Sequence, residues 1–240
     1  MDIGRRLRTR WNADSWSELI GLSTFASRVA MVTTVVTLIL DETFQVAGTV
    51  FYGVGRLDGA GNFLSWWDLL KVVVTAAALL YVAWRYRSAS FGGFTIVYFL
   101  VAAEDQLGLH HAAGRRVGRL LARTWEGGWI AAHDRQIGTL VVMTAFAVAG
   151  FLLIWVWERP QDARVRRAQI VLTALLVVLF GLAGGLNFVD TVLNSRLLPA
   201  LEETGERVVM TLSLGYTLGL ASMRRRDPDG GTKALGVPGS

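Results

Sequence analysis

The chain has 240 residues, 52% hydrophobic and only 18% charged, with a mean hydropathy of +0.42, whereas a water-soluble domain carries about a quarter charged residues. The formal net charge of +5 and pI of about 10.1 do not point to nucleic acid, because the basic residues flank apolar runs of near membrane-crossing length instead of gathering on one soluble domain. With no cysteine, disulfides, thiolate metal ligands and Cys nucleophiles are excluded.

Residues 1–20 read as a cytoplasmic or interfacial lead-in. The basic start RRLRTR is followed by WNADSWSELIGL, which is amphipathic and lacks the compact apolar core of a signal peptide. Ser15 and Glu18 fit a capping box. Trp11, Trp16, Leu19 and Ile20 suit the headgroup region, and an ordinary solvated helix suits them equally well.

Six spans are expected after it, over roughly 21–40, 63–84, 91–111, 137–157, 168–189 and 207–222. The last is polar at its start and is expected to begin nearer Glu202. This predicts an all-α fold, a polytopic membrane helix bundle over 21–222. The tail over 223–240, rich in Gly and Pro, reads as disordered and cytoplasmic.

Loop charge sets the orientation. With the N-terminus inside, the inner segments hold fourteen basic residues: Arg5, Arg6, Arg8, Arg10, Arg85, Arg87, Arg159, Arg164, Arg166, Arg167, Arg224, Arg225, Arg226 and Lys233. The outer segments hold seven, namely Arg56, Arg115, Arg116, Arg119, Arg123, Arg135 and Arg196. The positive-inside rule then favours both termini in the cytoplasm. No tryptophan falls at a predicted span centre, as expected of interfacial anchors.

Two outer connections read as more than linkers. DETFQVAGTVFYGVGRLDGAGN is too apolar for a solvated loop and too interrupted for a seventh span, so it reads as interfacial or re-entrant. Residues 115–129 read as a segment lying along the outer surface. The run GLAGGL at Gly181 to Leu186 reads as a close helix crossing.

In this topology the polar residues fall at one depth. Glu104, Asp105, His110 and His111 end the third span, Asn187 and Asp190 the fifth, and Glu202, Glu203 and Glu206 open the sixth. Asp41 and Glu42 end the first, while Asp68 and Lys71 lie in the outer half of the second, where Lys71 either pairs with Asp68 at i,i+3 or snorkels outward. Ionisable groups at membrane depth are costly and usually pair, line a cavity or serve a site. Glu104 and His111 share a helix face two turns apart, as do Glu202, Glu203 and Glu206 one turn apart. Such acids need a cation, a proton or basic side chains to offset them. Carboxylates and imidazoles from several helices are how bundles hold Mn, Fe or Zn. The candidate ligands for a divalent metal ion are therefore Glu104, Asp105, His110, His111, Asp190, Glu202, Glu203 and Glu206.

The bland readings are an acidic, solvated helix start for LEETGE and interfacial, backbone-bonded histidines. No phosphate-binding Gly-rich loop and no Gly-x-Ser-x-Gly nucleophile turn occur. Three histidines are poor material for bis-His haem, and a single axial His to haem or chlorophyll stays open.

The segments LDGAGNFLSWW, AEDQLGLHH and LEETGE, in that order, resemble motifs of a loose group of uncharacterised bacterial polytopic membrane proteins, over most of residues 50 to 215. In that group the second motif runs closer to Asp-Glu followed by His-Glu. Here it reads Asp105-Gln106 and His110-His111, two acids fewer. The group brings no activity with it. The expectation is thus an outer-facing acidic/His pocket for a cation or protons. The alternative is a non-catalytic subunit packing against other membrane subunits, lipids or pigments. A small-solute transporter is disfavoured, because no broken-helix pair occupies matching halves.

Overall fold

The computed structural model describes residues 21–52, 63–107, 109–124, 133–157, 163–186, 189 and 198–223. Within these, the backbone alone is described at a few positions, including 104, 105, 110 and 111.

Ser23 opens the first helix. Its Oγ accepts the Ala26 N–H at 3.2 Å, satisfying one of the unpaired donors of α1 (Thr24–Tyr52). The sequence reading ended this span at Leu40, before the acidic pair Asp41 and Glu42. The helix instead runs on to Tyr52, because Asp41 is buried against partners from two other helices (below) and its charge need not leave the bundle.

α2 (Phe63–Tyr86) and α3 (Ala89–Leu107) are joined by Arg87 and Ser88 alone. Arg87 takes the left-handed conformation, φ 50°, and Ser88 N–H donates to Ala83 O at 3.1 Å, the six-to-one bond of a Schellman stop. α4 (Leu109–Thr124) follows after Gly108, then α5 (Asp134–Trp157) and α6 (Ala163–Phe180). α6 continues as a π-helical segment, Gly181–Leu186, and α7 (Leu198–Ser222) ends the described chain. Among the described residues the protein is all-helical, with seven helices and no strand.

Four stretches are long and apolar enough to cross a membrane: Thr24–Ala47, Trp66–Tyr86, Ile137–Trp155 and Ala163–Leu186. The third expected span corresponds to a shorter apolar stretch, Ala89–Ala103. The sixth lies in α7, which at 25 residues is long but less apolar.

Contacts between helix ends show how the helices run. Gly21, just before α1, packs on Arg167 and Ala168 at the start of α6, and Arg85 near the end of α2 donates to Ala221 O near the end of α7 at 3.2 Å. Gly93, early in α3, faces Ile154, late in α5. The starts of α1, α3 and α6 and the ends of α2, α5 and α7 therefore share one end of the bundle.

α7 sits in the middle. Val209, Thr211, Ser213, Leu214, Gly215, Tyr216, Thr217, Gly219 and Leu220 are buried, whereas α1 turns Phe25, Val32, Val35, Val36 and Ile39 outward. A helix shielded by its neighbours does not need an apolar surface. Its requirement is small residues that let backbones approach. A Cβ on Gly215 would lie 2.7 Å from Ala30 O and collide with Thr34, and one on Gly219 would lie 2.8 Å from Ala26 O. Thr211, Gly215 and Gly219, each four apart, are one face of α7 seated on α1.

GLAGGL behaves differently from its expected role. Nothing lies within 4 Å of a Cβ on Gly181 or Gly185, and Gly184 meets Leu140 only at an ordinary 3.8 Å. The run widens the end of α6 into a π-turn. The run does meet α7 closely through Leu182, whose Cδ1 would lie 2.9 Å from a Cβ on Gly205, while the closest backbone approaches are α7 on α1 and α4 on α5. In the second of these, a Cβ on Gly138 would collide with Gly114 O and lie 2.6 Å from Gly118 N.

Candidate functional site

The seating of α7 on α1 brings Thr211 to Asp41. Asp41 is buried and accepts three hydrogen bonds: from Lys71 Nζ at 2.9 Å and Trp67 Nε1 at 2.5 Å on Oδ1, and from Thr211 Oγ1 at 2.8 Å on Oδ2. Three helices thus meet at one carboxylate. Phe44, one turn further along α1, packs edge-on against Trp67 with ring centroids 5.3 Å apart. The edge contact holds the indole that donates to Asp41.

Lys71 is 1% exposed. Transferring an ammonium into such surroundings costs several kcal/mol unless its charge is met. Two acids meet it, Asp41 and Asp68, whose Oδ1 lies 2.7 Å from Nζ. The Asp68 contact has the distance of an ion pair but misses hydrogen-bond angles, and Asp68 Oδ1 has no hydrogen-bond partner. We therefore treat it as Coulombic attraction, the looser of the two. Asp68 Oδ2 in turn lies 3.7 Å from Arg207 Nε, and Arg207 Nη2 lies 3.5 Å from Glu203 Oε2.

Signs alternate along this line, Glu203, Arg207, Asp68, Lys71, Asp41, and exposure falls along it. The Glu203 side chain is 52% exposed, Asp68 and Arg207 are 20% exposed, and Asp41 and Lys71 are buried. Asp41 stands six residues inside the apolar stretch ending at Ala47, and Lys71 five inside the one beginning at Trp66. At 1.5 Å per residue both lie about 8 Å below the end of a span. The arrangement is a charge ladder descending from a rim acid into the bundle.

Of the expected site residues, the structure brings Glu203 onto this ladder. Glu202 and Glu206 each have an interaction partner, and Glu203 is met by Arg207. The side chains of Glu104, Asp105, His110 and His111, and all of Asn187 and Asp190, lie outside the described residues. Among the described residues no three His, Asp or Glu side chains gather closely enough to hold a metal ion.

Lys71 pairs with Asp68 at i,i+3 as the spacing suggested, and Asp41 is an additional partner 30 residues away. Trp67 and Thr211 were missed as parts of the site, whereas Arg207, expected from its place in the sequence to neutralise the acids of LEETGE, does lie 3.5 Å from Glu203. One signal was available. Lys71 is the only lysine before the tail and stands inside an apolar helix, where a charge demands partners.

No protein-family model, curated protein or solved structure matches the chain. What the protein does must be argued from its helices, which form an all-α protein with membrane-crossing stretches, and from this ladder.

Proposed function

We propose that the chain is a six-pass protein of the bacterial inner membrane, with both termini cytoplasmic, and that the ladder from Glu203 to Asp41 takes up protons or a cation from the outer face. Alternating helix direction supports the topology. So does charge: Arg28, Arg85, Arg87, Arg164, Arg166 and Arg167 lie at the end of the bundle where α1 starts, and the ladder lies toward the other.

The observation that carries the functional reading is Lys71, buried and shared between two carboxylates at membrane depth, one of them held only loosely. A proton reaching Asp68 removes the charge that attracts both Lys71 and Arg207. Lys71 then rests on Asp41 alone, and Arg207 turns to Glu203. A cation has a comparable route, taking Arg207's place between Glu203 and Asp68. The acid/His segment of residues 104–111 joins α3 to α4 at the same end and is the proposed place for a divalent ion.

The test is proteoliposomes with a trapped pH-sensitive dye. The wild-type protein should dissipate an imposed pH or cation gradient, and Asp68→Asn should slow this at least tenfold while leaving the protein folded. Equal rates for wild type, Asp68→Asn and empty vesicles would remove the reading. A second reading, a scaffold subunit of a larger membrane complex, is favoured by Asp41 itself. Both of its oxygens are occupied by fixed donors, as expected of a staple between helices.

A further inference from the structure

α4 carries Arg115, Arg116, Arg119 and Arg123 and no acidic residue. All four arginines are exposed, as is Leu120. At 100° per residue the five side chains occupy a sector of about 140°. Gly114 and Gly118 fall on the other side, against α5. The helix is therefore two-faced, with a backbone-tight face toward the bundle and a basic face turned away from it.

The glycine contact also fixes depth. Gly114 touches Thr139, and both Gly114 and Gly118 touch Gly138. Gly138 and Thr139 are the second and third residues of the membrane-crossing stretch Ile137–Trp155. Arg115, Arg116 and Arg119 each stand within two residues of one of these glycines, so about 3 Å of helix rise separates them from that level. The arginines therefore stand at the edge of the apolar layer, where the bilayer presents phosphate groups. A planar guanidinium binds phosphate oxygens in pairs and keeps its charge at any physiological pH.

We propose that the arginine face of α4 is a binding surface for anionic phospholipid headgroups, with Leu120, at one edge of that face, reaching toward the acyl region. This is independent of the ladder and holds whichever leaflet α4 meets.

The test is lipid retention by the full-length protein. It is reconstituted with equimolar phosphatidylglycerol and phosphatidylcholine and re-extracted in mild detergent, and the co-purifying lipids are counted by mass spectrometry. One arginine near an anionic surface favours it by roughly fivefold. The wild type should therefore enrich phosphatidylglycerol about fivefold or more. Arg→Gln at all four positions should bring the ratio close to one, and Arg→Lys at all four should keep most of it. If the fourfold Gln variant does not fold, the Arg116→Gln/Arg119→Gln pair gives the readout, with a fall of at least threefold expected. Unchanged enrichment in a folded Gln variant would overturn the proposal. So would displacement of the lipid by inorganic phosphate at constant ionic strength, which would assign the face to a free anion. An acidic protein lost from the Gln variant at an unchanged lipid ratio would assign it to a protein partner.

Discussion

The Asp41 centre and the outward face of α4 handle charge in opposite ways. At Asp41 each charge is buried and met: Lys71 by two carboxylates, Asp41 by three donors from α2 and α7. On α4 four arginines share one exposed face of a helix that has no acid of its own. Both lie near the ends of apolar stretches. In the first case the protein supplies the counter-charge, and in the second the surroundings must. The same small-residue packing produces both outcomes. Gly215 and Gly219 draw α7 onto α1 and close the first centre, while Gly114 and Gly118 draw α4 onto α5 by its glycine side and leave its arginines facing away.

Removing one half of the buried pair should break that contrast most strongly. Asp41→Asn leaves Lys71 buried with only the loosely held Asp68, and should cost about 3–5 kcal/mol in detergent unfolding. Asp41→Asn combined with Lys71→Met removes both charges and should cost less than Asp41→Asn alone. A double variant at least as unstable as the single one would mean that the charges are not coupled.

The next effect concerns how the centre is closed. Gly215→Leu forces α7 away from Ala30 and Thr34 and should destabilise by about 1–3 kcal/mol. Gly92→Ala enters open space within α3 and should instead stabilise by about 0.5–1 kcal/mol. A gain in stability from both would show that helix propensity decides here and close approach does not.

The smallest effect is at the rim. Glu203 is half exposed and 3.5 Å from Arg207, so Glu203→Gln should change stability by less than about half a kcal/mol. A larger loss would extend the buried centre outward to Glu203 and blur the distinction between compensated interior and open rim.

Much of the fold could be read from the sequence because apolar length is a local signal. α2 and α5 were expected over 63–84 and 137–157 and occur as Phe63–Tyr86 and Asp134–Trp157. α1 was cut short because Asp41 and Glu42 look like an exit from the membrane. The partners of Asp41 on α2 and α7, as far as 170 residues away, are what let the helix continue. α7 was expected to begin nearer Glu202 and begins at Leu198, but the burial of its polar residues among other helices is not written in its own sequence. For the site, equal depth was legible and convergence was not. Asp41, Asp68, Lys71 and the acids of LEETGE were all placed at one level. Which of them meet depends on the rotation of each helix, and that is set by Gly215 and Gly219 on one side and Ala26, Ala30 and Thr34 on the other.

The bond between Asp41 and Thr211 spans 170 residues of chain, and that separation acquires a meaning during synthesis. At ordinary elongation rates Lys71 follows Asp41 within roughly 2–6 s, whereas Thr211 appears only after roughly 10–30 s. For most of its biogenesis the growing protein therefore holds Asp41 of α1 and Lys71 of α2 with one carboxylate oxygen still waiting. α7 completes this bond and fills the middle of the bundle in one step. A chain that stops before Leu198 lacks both the helix that fills the middle of the bundle and the Thr211 hydroxyl that meets Asp41 Oδ2.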